Sequence, residues 1–217
     1  MFDLDGTLVD RLTAVRRIAG LLWDQEPAVQ AVDNREEAIH QFLEFDGDGY
    51  TMPRSRVFEL ANERWHGMSM SVEQLTDWYR ANYPLGFSPD PAIHKVLASL
   101  KHAGFPIGIV TNGPATQLTK IERLGLDRFT EVVVVSETFG HEKPDPAIFE
   151  HALQLVGAPT PSNVLYVGDN PVADISGARA MGMKTAWVRR GRQWPQELEP
   201  ADYTISHVSE VVEIISL

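Results

Sequence analysis

The sequence predicts an α/β protein, a parallel β-sheet with helices on both faces, carrying an all-helical insert near its beginning. Three observations predict it. The chain opens on a strand-and-turn segment, MFDLDGTLVD; the stretch from about Arg11 to Pro84 is nearly free of strand-like runs; and from about Pro89 onward short apolar runs alternate with amphipathic segments. Short buried strands alternating with helices indicate a parallel sheet covered on both faces. Right-handed crossovers then bring successive strand ends to one rim, where such sheets bind ligands.

In the insert, LTAVRRIAGLLWD, EEAIHQFLEF, RSRVFELANERW and VEQLTDWYRANY space their apolar residues at three and four, the period of amphipathic helices. Breaks fall at Pro27, at FDGDGYTMP, at His66-Gly67 and at Pro84-Leu85-Gly86. The expected division is therefore residues 1–10 and 85–217 for the sheet domain and 11–84 for the helical one. In the sheet domain AIHKVLASLKHAG reads as a helix and FPIGIVTNG as a buried strand ending in a glycine turn. ATQLTKIERLG (helix), EVVVVS (strand), DPAIFEHALQLVG (helix), NVLYVGD (strand), DISGARAMG (helix) and KTAWV (strand) follow, with a last helix from Ser206.

Composition narrows the function. Over 217 residues, 43% are hydrophobic and 23% charged, the balance of a globular protein. The formal net charge of -11 argues against nucleic acid as a partner, because phosphate backbones demand basic surface. There is no cysteine, which removes disulfides, thiol nucleophiles and cysteine zinc sites. No signal-peptide pattern and no apolar run of membrane-spanning length is present, so a cytoplasmic protein without a membrane partner is expected.

Four polar groups sit where strands are expected to stop: Asp3 with Asp5, Thr111-Asn112-Gly113, Lys143, and Asp169 with Asp174. Each has a plain reading as a solvated turn, a polar strand end, a surface lysine or a helix cap. Each also has a chemical one. Residues i and i+2 share one side of an extended chain, and two adjacent carboxylates disfavour joint ionisation, which suits one nucleophile and one general acid. The Thr111 hydroxyl and the N–H groups of Asn112 and Gly113 could face an anion, helped by the following helix N-terminus. Pro144 pre-sets a helix entry that would fix Lys143 near its mouth. Asp169 and Asp174, with Asp3 and the Asp5 carbonyl, offer oxygen ligands of the kind magnesium prefers. The order acid pair, threonine, lysine, acid pair is far more specific than any member.

This ordered set resembles the haloacid dehalogenase superfamily, with DLDGT, VTN, Lys143 and GDNPVAD in the places of its four motifs. The resemblance implies a Rossmann-like, doubly wound sheet, and the helical insert resembles a C1-type cap. It further implies that Asp3 is the nucleophile that becomes an aspartyl-phosphate and that Asp5 protonates the leaving oxygen and later activates water. Thr111 and Lys143 would hold the phosphoryl group with Asn112 near it, Asp169 would ligate Mg2+, and Asp174 would support that ion from a second shell. An acid at Asp5 departs from the dehalogenases of the superfamily, which usually carry a bulky non-acidic residue there, and favours phosphate monoesters. The expectation is a magnesium-dependent phosphatase on a small phosphorylated metabolite, as monomer or homodimer. A phosphomutase is the alternative, and a dehalogenase or an idle binding domain is further off.

Two features remain. Arg54 and Arg56 flank a turn signal and could serve substrate specificity from the cap, beside the plainer reading of a solvated helix start. Asp46 and Asp48 resemble a fragment of a calcium loop with no downstream ligands to complete it. Only Met1 and Phe2 precede Asp3, where related proteins usually carry several apolar residues, so a preceding stretch is expected.

Overall fold

The computed structural model describes residues 1–47, 49, 52–130, 132–158 and 160–215. They divide into two compact units, Arg11–Phe87 and Met1–Asp10 with Ser88–Leu217. Among the described residues no helix is long and apolar enough to cross a membrane.

The first unit is helical: α1 (Arg11–Gln25), α2 (Pro27–Gln30), α3 (Arg35–Asp46), α4 (Arg54–Arg64), α5 (Val72–Asn82) and a 3₁₀ turn (Tyr83–Gly86). Its apolar stripes converge on a core that includes Ile18, Leu22, Phe42, Phe58, Trp65 and Leu75. Asn34 with Glu37 and Ser71 with Gln74 form capping boxes that start α3 and α5. Two buried acids tie the helices together. Asp33 accepts from Trp65 Nε1 at 2.6 Å and from Arg64 at 2.5 Å, and Asp46 pairs with both Arg11 and Arg54. Asp46 is thus committed to two guanidinium groups, and Asp48, the other half of the calcium-like fragment, lies outside the described residues. The expected break at Pro27 is present: α1 ends at Gln25, and Pro27 opens the single turn α2, because its missing N–H is not needed at a helix start. The unit runs on past Pro84 to Phe87, since Arg17 donates to the Gly86 carbonyl at 2.9 Å.

The second unit carries α6 (Pro91–His102), β1 (Gly108–Thr111), α7 (Thr116–Arg123), β2 (Val132–Val135), α8 (Ser136–Phe139), α9 (Pro146–Leu155), β3 (Leu165–Gly168), a π-helical turn (Pro171–Ser176), α10 (Gly177–Ala180), β4 (Lys184–Val188), β5 (Tyr203–Ile205) and α11 (Val211–Ile214). β1 pairs in parallel with β2, β3 with β4, and β4 with β5. The first residues of the chain close the gap between these two groups, for Phe2 bridges in parallel to Ile109 of β1 and to Val167 of β3. Phe2 N–H donates to Gly108 O at 2.8 Å and Val110 N–H to Phe2 O at 2.9 Å. On the other side Asp3 N–H donates to Val167 O and Val167 N–H to Met1 O, both at 2.9 Å. The sheet is an α/β sheet of parallel strands with Met1–Asp3 at its centre.

The second unit differs from the sequence reading at its short elements, among them α8, β5 and α10. The sequence reading names no element between KTAWV and the last helix from Ser206, yet Tyr203–Ile205 adds a strand pinned by Asp202, which accepts from the N–H and hydroxyl of Thr185 at 2.7 Å each. The expected helix over Asp174–Gly182 is a π-helical turn followed by the short α10. Neither a three-residue strand nor a single helical turn is long enough to show a period.

Phe2 is 3% exposed and is the side chain of the central segment. Phe2→Ala is expected to cost about 3–5 kcal/mol, read as a lower urea midpoint at unchanged slope; a wild-type midpoint would remove Phe2 as the anchor.

Candidate active site

The strand ends of the second unit gather a buried polar cluster. Hydrogen bonding of Met1–Asp3 to both neighbouring strands fixes Asp3 at the end of the central segment. The chain then doubles back, with Leu8 N–H donating to Leu4 O at 2.9 Å and Gly6 N–H to Val9 O at 2.9 Å. Gly6 has φ +83°, and a Cβ there would lie 2.5 Å from an Asp169 carboxylate oxygen, so this turn accepts no side chain. Arg190 holds the same turn from the other side, donating to Gly6 O at 2.6 Å and to Thr7 O at 3.1 Å.

Lys143 reaches into the cluster as a buried ammonium. Its Nζ lies 2.7 Å from Asp3 Oδ1, 2.7 Å from Asp174 Oδ1, 2.8 Å from Val110 O and 3.1 Å from the Tyr166 hydroxyl. Burial works against its charge, but Asp174 and Asp3 outweigh burial and hold its pKa well above the ordinary lysine value. Pro144 is not what fixes it. α9 starts later, at Pro146 behind the cap Asp145, and Lys143 is instead held by Asn112. The Asn112 side chain donates to Lys143 O at 2.9 Å and accepts from Lys143 N–H at 2.8 Å. This reciprocal pair places Asn112 as a clamp on the Lys143 backbone.

Asp3, Asp169 and Asp174 are buried and offer carboxylate oxygens that all lie within 4.8 Å of one another. Among the described residues, Asp3 Oδ2 and Asp169 Oδ1 are buried without a hydrogen-bond partner. Oxygen-only donors with two unpartnered buried oxygens suit a hard divalent cation. Burial raises the Asp3 carboxyl well above the usual carboxylate range, with Lys143 opposing and Asp174 and Asp169 adding to the rise. Burial, then Asp174, push Asp169 up to about 6 against the pull of Arg192. Arg192 donates to Asp169 at its carboxylate (2.8 Å) and its carbonyl (2.7 Å). The π-helical turn turns Asp174 back on its own entry, where it accepts from Asn170 N–H at 2.9 Å. Gly168 permits that return, because a Cβ there would meet Asp174 Cβ at 2.4 Å.

Asp5 does not join this cluster. The expectation of two carboxylates side by side on an extended strand gives way to a turn after Asp3, and Asp5 is held by α7. Lys120 Nζ lies 2.7 and 2.6 Å from its two oxygens, and Gln117 Nε2 lies 2.7 Å from Oδ2. Gln117 also donates to the buried Thr111 hydroxyl at 3.0 Å. The Gly113 N–H, read from sequence as facing an anion, donates to Ser136 Oγ at 3.0 Å. Arg54 and Arg56 belong to the helical unit. Arg54 pairs with Asp46 and lies 4.1 Å over the Tyr79 ring, whereas Arg56 pairs on the surface with Glu59 at 2.9 Å and Glu63 at 3.2 Å.

Sequence reasoning missed Tyr166, Gln117, Lys120, Arg190 and Arg192. For Gln117 and Lys120 a signal was present, since they fall one turn before the apolar Ile121 and Leu124, respectively, on the buried side of ATQLTKIERLG, while Leu118 is 45% exposed.

Residues 1–188 match the family described as haloacid dehalogenase-like hydrolase. A glyceraldehyde 3-phosphate phosphatase of Methanopyrus kandleri is 38% identical over 227 residues, covering 99% of this chain and 95% of that protein. One of the same name from Pyrococcus furiosus is 40% identical over 129 residues, 58% of this chain and 53% of that protein, so this match spans about half of the relative's length. A solved HAD-hydrolase of Bacillus subtilis shares the fold, with a TM-score of 0.81 at 24% identity over 100% of this chain and 97% of that one. The family match runs through every strand-end group described above, and the chain belongs to the haloacid dehalogenase-like hydrolases.

Proposed function

We propose that this chain is a magnesium-dependent phosphatase that hydrolyses a small phosphorylated metabolite through an aspartyl-phosphate on Asp3. The observation that carries the reading is the state of Asp3, whose Oδ1 is 2.7 Å from the Lys143 ammonium while its buried Oδ2 has no partner among the described residues. The names of the two relatives, both phosphatases of a triose phosphate, support a small phosphomonoester.

In this mechanism Asp3 Oδ2 attacks phosphorus as the bond to the ester oxygen breaks, and Asp5, in its protonated form, gives that oxygen its proton and becomes the carboxylate that Lys120 holds. Asp5 then takes a proton from water, whose oxygen attacks phosphorus and displaces Asp3, releasing phosphate. Lys143 and Thr111 face the phosphoryl oxygens, and Asn112 positions Lys143. Monoester hydrolysis can need an acceleration near ~10²¹, and general acid catalysis supplies about 10²–10⁴ of it. Covalent attack and charge stabilisation must supply the larger share.

Asp3, Asp169 and Asp174 are the residues that would hold magnesium, whose preference for oxygen ligands fits this donor set, and the Asp5 carbonyl is proposed with them from the sequence motif alone. When bound there, the ion supplies positive charge that favours ionised Asp3 and balances charge on the phosphoryl oxygens. We assign the helical unit Arg11–Phe87 as the cap that selects the substrate, because it is inserted directly after the Asp3–Asp5 loop.

Asp3→Asn is expected to abolish phosphate release from an aryl phosphate while leaving the circular dichroism spectrum unchanged; turnover by the variant would exclude Asp3 as nucleophile. Chelation with EDTA should silence the enzyme and added magnesium restore it, and full activity in EDTA would remove the metal. The carboxyl of Asp169, raised to about 6 by burial, takes up a proton as the pH falls through that value and loses the charge that attracts a cation. Calorimetric titration with magnesium is therefore expected to show weaker binding below about pH 6 than above it; an affinity flat across that range would take Asp169 out of the metal site.

A further inference from the structure

We propose that Gln117 and Lys120 of α7 are positioning residues that clamp the acid/base carboxylate of Asp5 and tie it to the phosphate-holding hydroxyl of Thr111. This rests on the reading of the chain as a phosphatase in which Asp5 serves the leaving group.

Helix α7 buries two polar side chains beside the apolar Ile121. Gln117 is 5% exposed and Lys120 1%, whereas Leu118 between them is 45% exposed. Burying a lysine ammonium is costly unless it meets an opposite charge at close range, and Lys120 finds one at Asp5, 2.7 Å from Oδ1 and 2.6 Å from Oδ2. A carboxylate held at both oxygens by one ammonium cannot turn about its Cβ–Cγ bond without breaking charge-assisted bonds. One turn earlier in α7, Gln117 adds a donor to Asp5 Oδ2 at 2.7 Å and directs the same amide to Thr111 Oγ1 at 3.0 Å. A third contact of that amide, 3.2 Å to Asn112 O, fixes its orientation.

The clamp therefore joins the opening loop to two neighbouring elements that lie far along the chain from it. Asp5 comes from the opening loop, Thr111 from the end of β1, and the two holding side chains from α7. Its consequence for the reaction is geometric. Proton transfer to a leaving oxygen demands a donor within hydrogen-bond reach of a defined point, and small displacements of a catalytic group are strongly felt in rate. With Asp5 and Thr111 on one amide, the site that holds the phosphoryl group and the group that serves the departing oxygen keep a constant separation.

Such a role makes the loss depend on the leaving group. Phenyl phosphate releases a phenolate that needs a proton, whereas dinitrophenyl phosphate releases an anion that does not. Lys120→Met keeps the length of the side chain and removes its charge and donors; Gln117→Leu removes only the neutral donor and serves as the second variant should Lys120→Met fail to fold. In both, kcat/KM on phenyl phosphate is expected to fall by about 10–100-fold, with dinitrophenyl phosphate changed by less than about 3-fold and magnesium affinity by calorimetry unchanged. An equal fall on both esters would reduce the pair to a structural role and overturn the proposal, as would no fall on either. A wild-type protein that releases phosphate from neither ester would overturn the phosphatase reading itself and the clamp's role with it.

Discussion

Lys143 places a full positive charge at a buried position, and the arrangement of the strand ends follows from the need to compensate that charge. Transferring an ammonium from water into protein costs several kcal/mol even after relaxation, so a buried lysine persists only where several oxygens converge. Here they come from four parts of the chain: Asp3 at the end of the central segment, Val110 in β1, Tyr166 in β3 and Asp174 in the π-helical turn. The same requirement works in reverse on the acids. Asp3 and Asp174 are buried carboxylates, and the ammonium between them is what makes their proximity tolerable. Tyr166 takes part as a neutral member: burial, outweighing Lys143, holds its hydroxyl well above its ordinary pKa, so it stays protonated and donates onward to Val110 O at 3.2 Å.

Backbone constraints make that convergence possible. Two glycines stand where a Cβ would collide with the acids, Gly6 against Asp169 and Gly168 against Asp174. Gly6 lies in the turn after the central segment and Gly168 is the last residue of β3, and both let backbone approach a carboxylate closely enough for the cluster to form. The π-helical turn Pro171–Ser176 adds to this, since widening the first turn brings Asp174 back over its own entry instead of leaving it on the helix flank. Close approach and aim are therefore set by the main chain before any side-chain contact is made.

These relations explain which parts of the molecule the sequence discloses. The helices of Arg11–Phe87 and the alternation beyond it follow from periodicity and caps, which are local properties, and the strand-end acids stand out because charged residues interrupt apolar runs. What partners those acids is a different kind of information. Asn112 reads as a polar turn residue, and nothing near it in the chain indicates that its amide holds the Lys143 backbone. Tyr166 reads as an ordinary β-former, and Arg190 and Arg192 as a basic surface run. Pro144 looked like the device that fixes Lys143 because helix signals are local, while the device used is a pair of hydrogen bonds across the sheet. β5 and α8 are too short for any period to emerge.

The contrast between Asp3 and Asp5 shows why that non-local information matters for chemistry. Two residues apart, they would share one environment on an extended strand and compete for one proton. The turn after Asp3 separates them, and each receives its own lysine. Asp3 sits among two further acids with an oxygen that no described group satisfies, an environment that raises its carboxyl and invites a cation. Asp5 lies outside that acid cluster and is engaged by the donors of α7. Pairs of carboxyl groups acquire distinct tasks when their surroundings differ in this way. A proposed nucleophile needs a charge-stabilising partner and an oxygen not committed to a hydrogen bond, whereas a proposed acid/base needs a fixed orientation. The fold meets the first need with Lys143 and the acidic cluster, and the second with Gln117 and Lys120. The spacing of DLD in the sequence is thus where the two roles begin, and the turn that breaks its extended geometry is what keeps them apart.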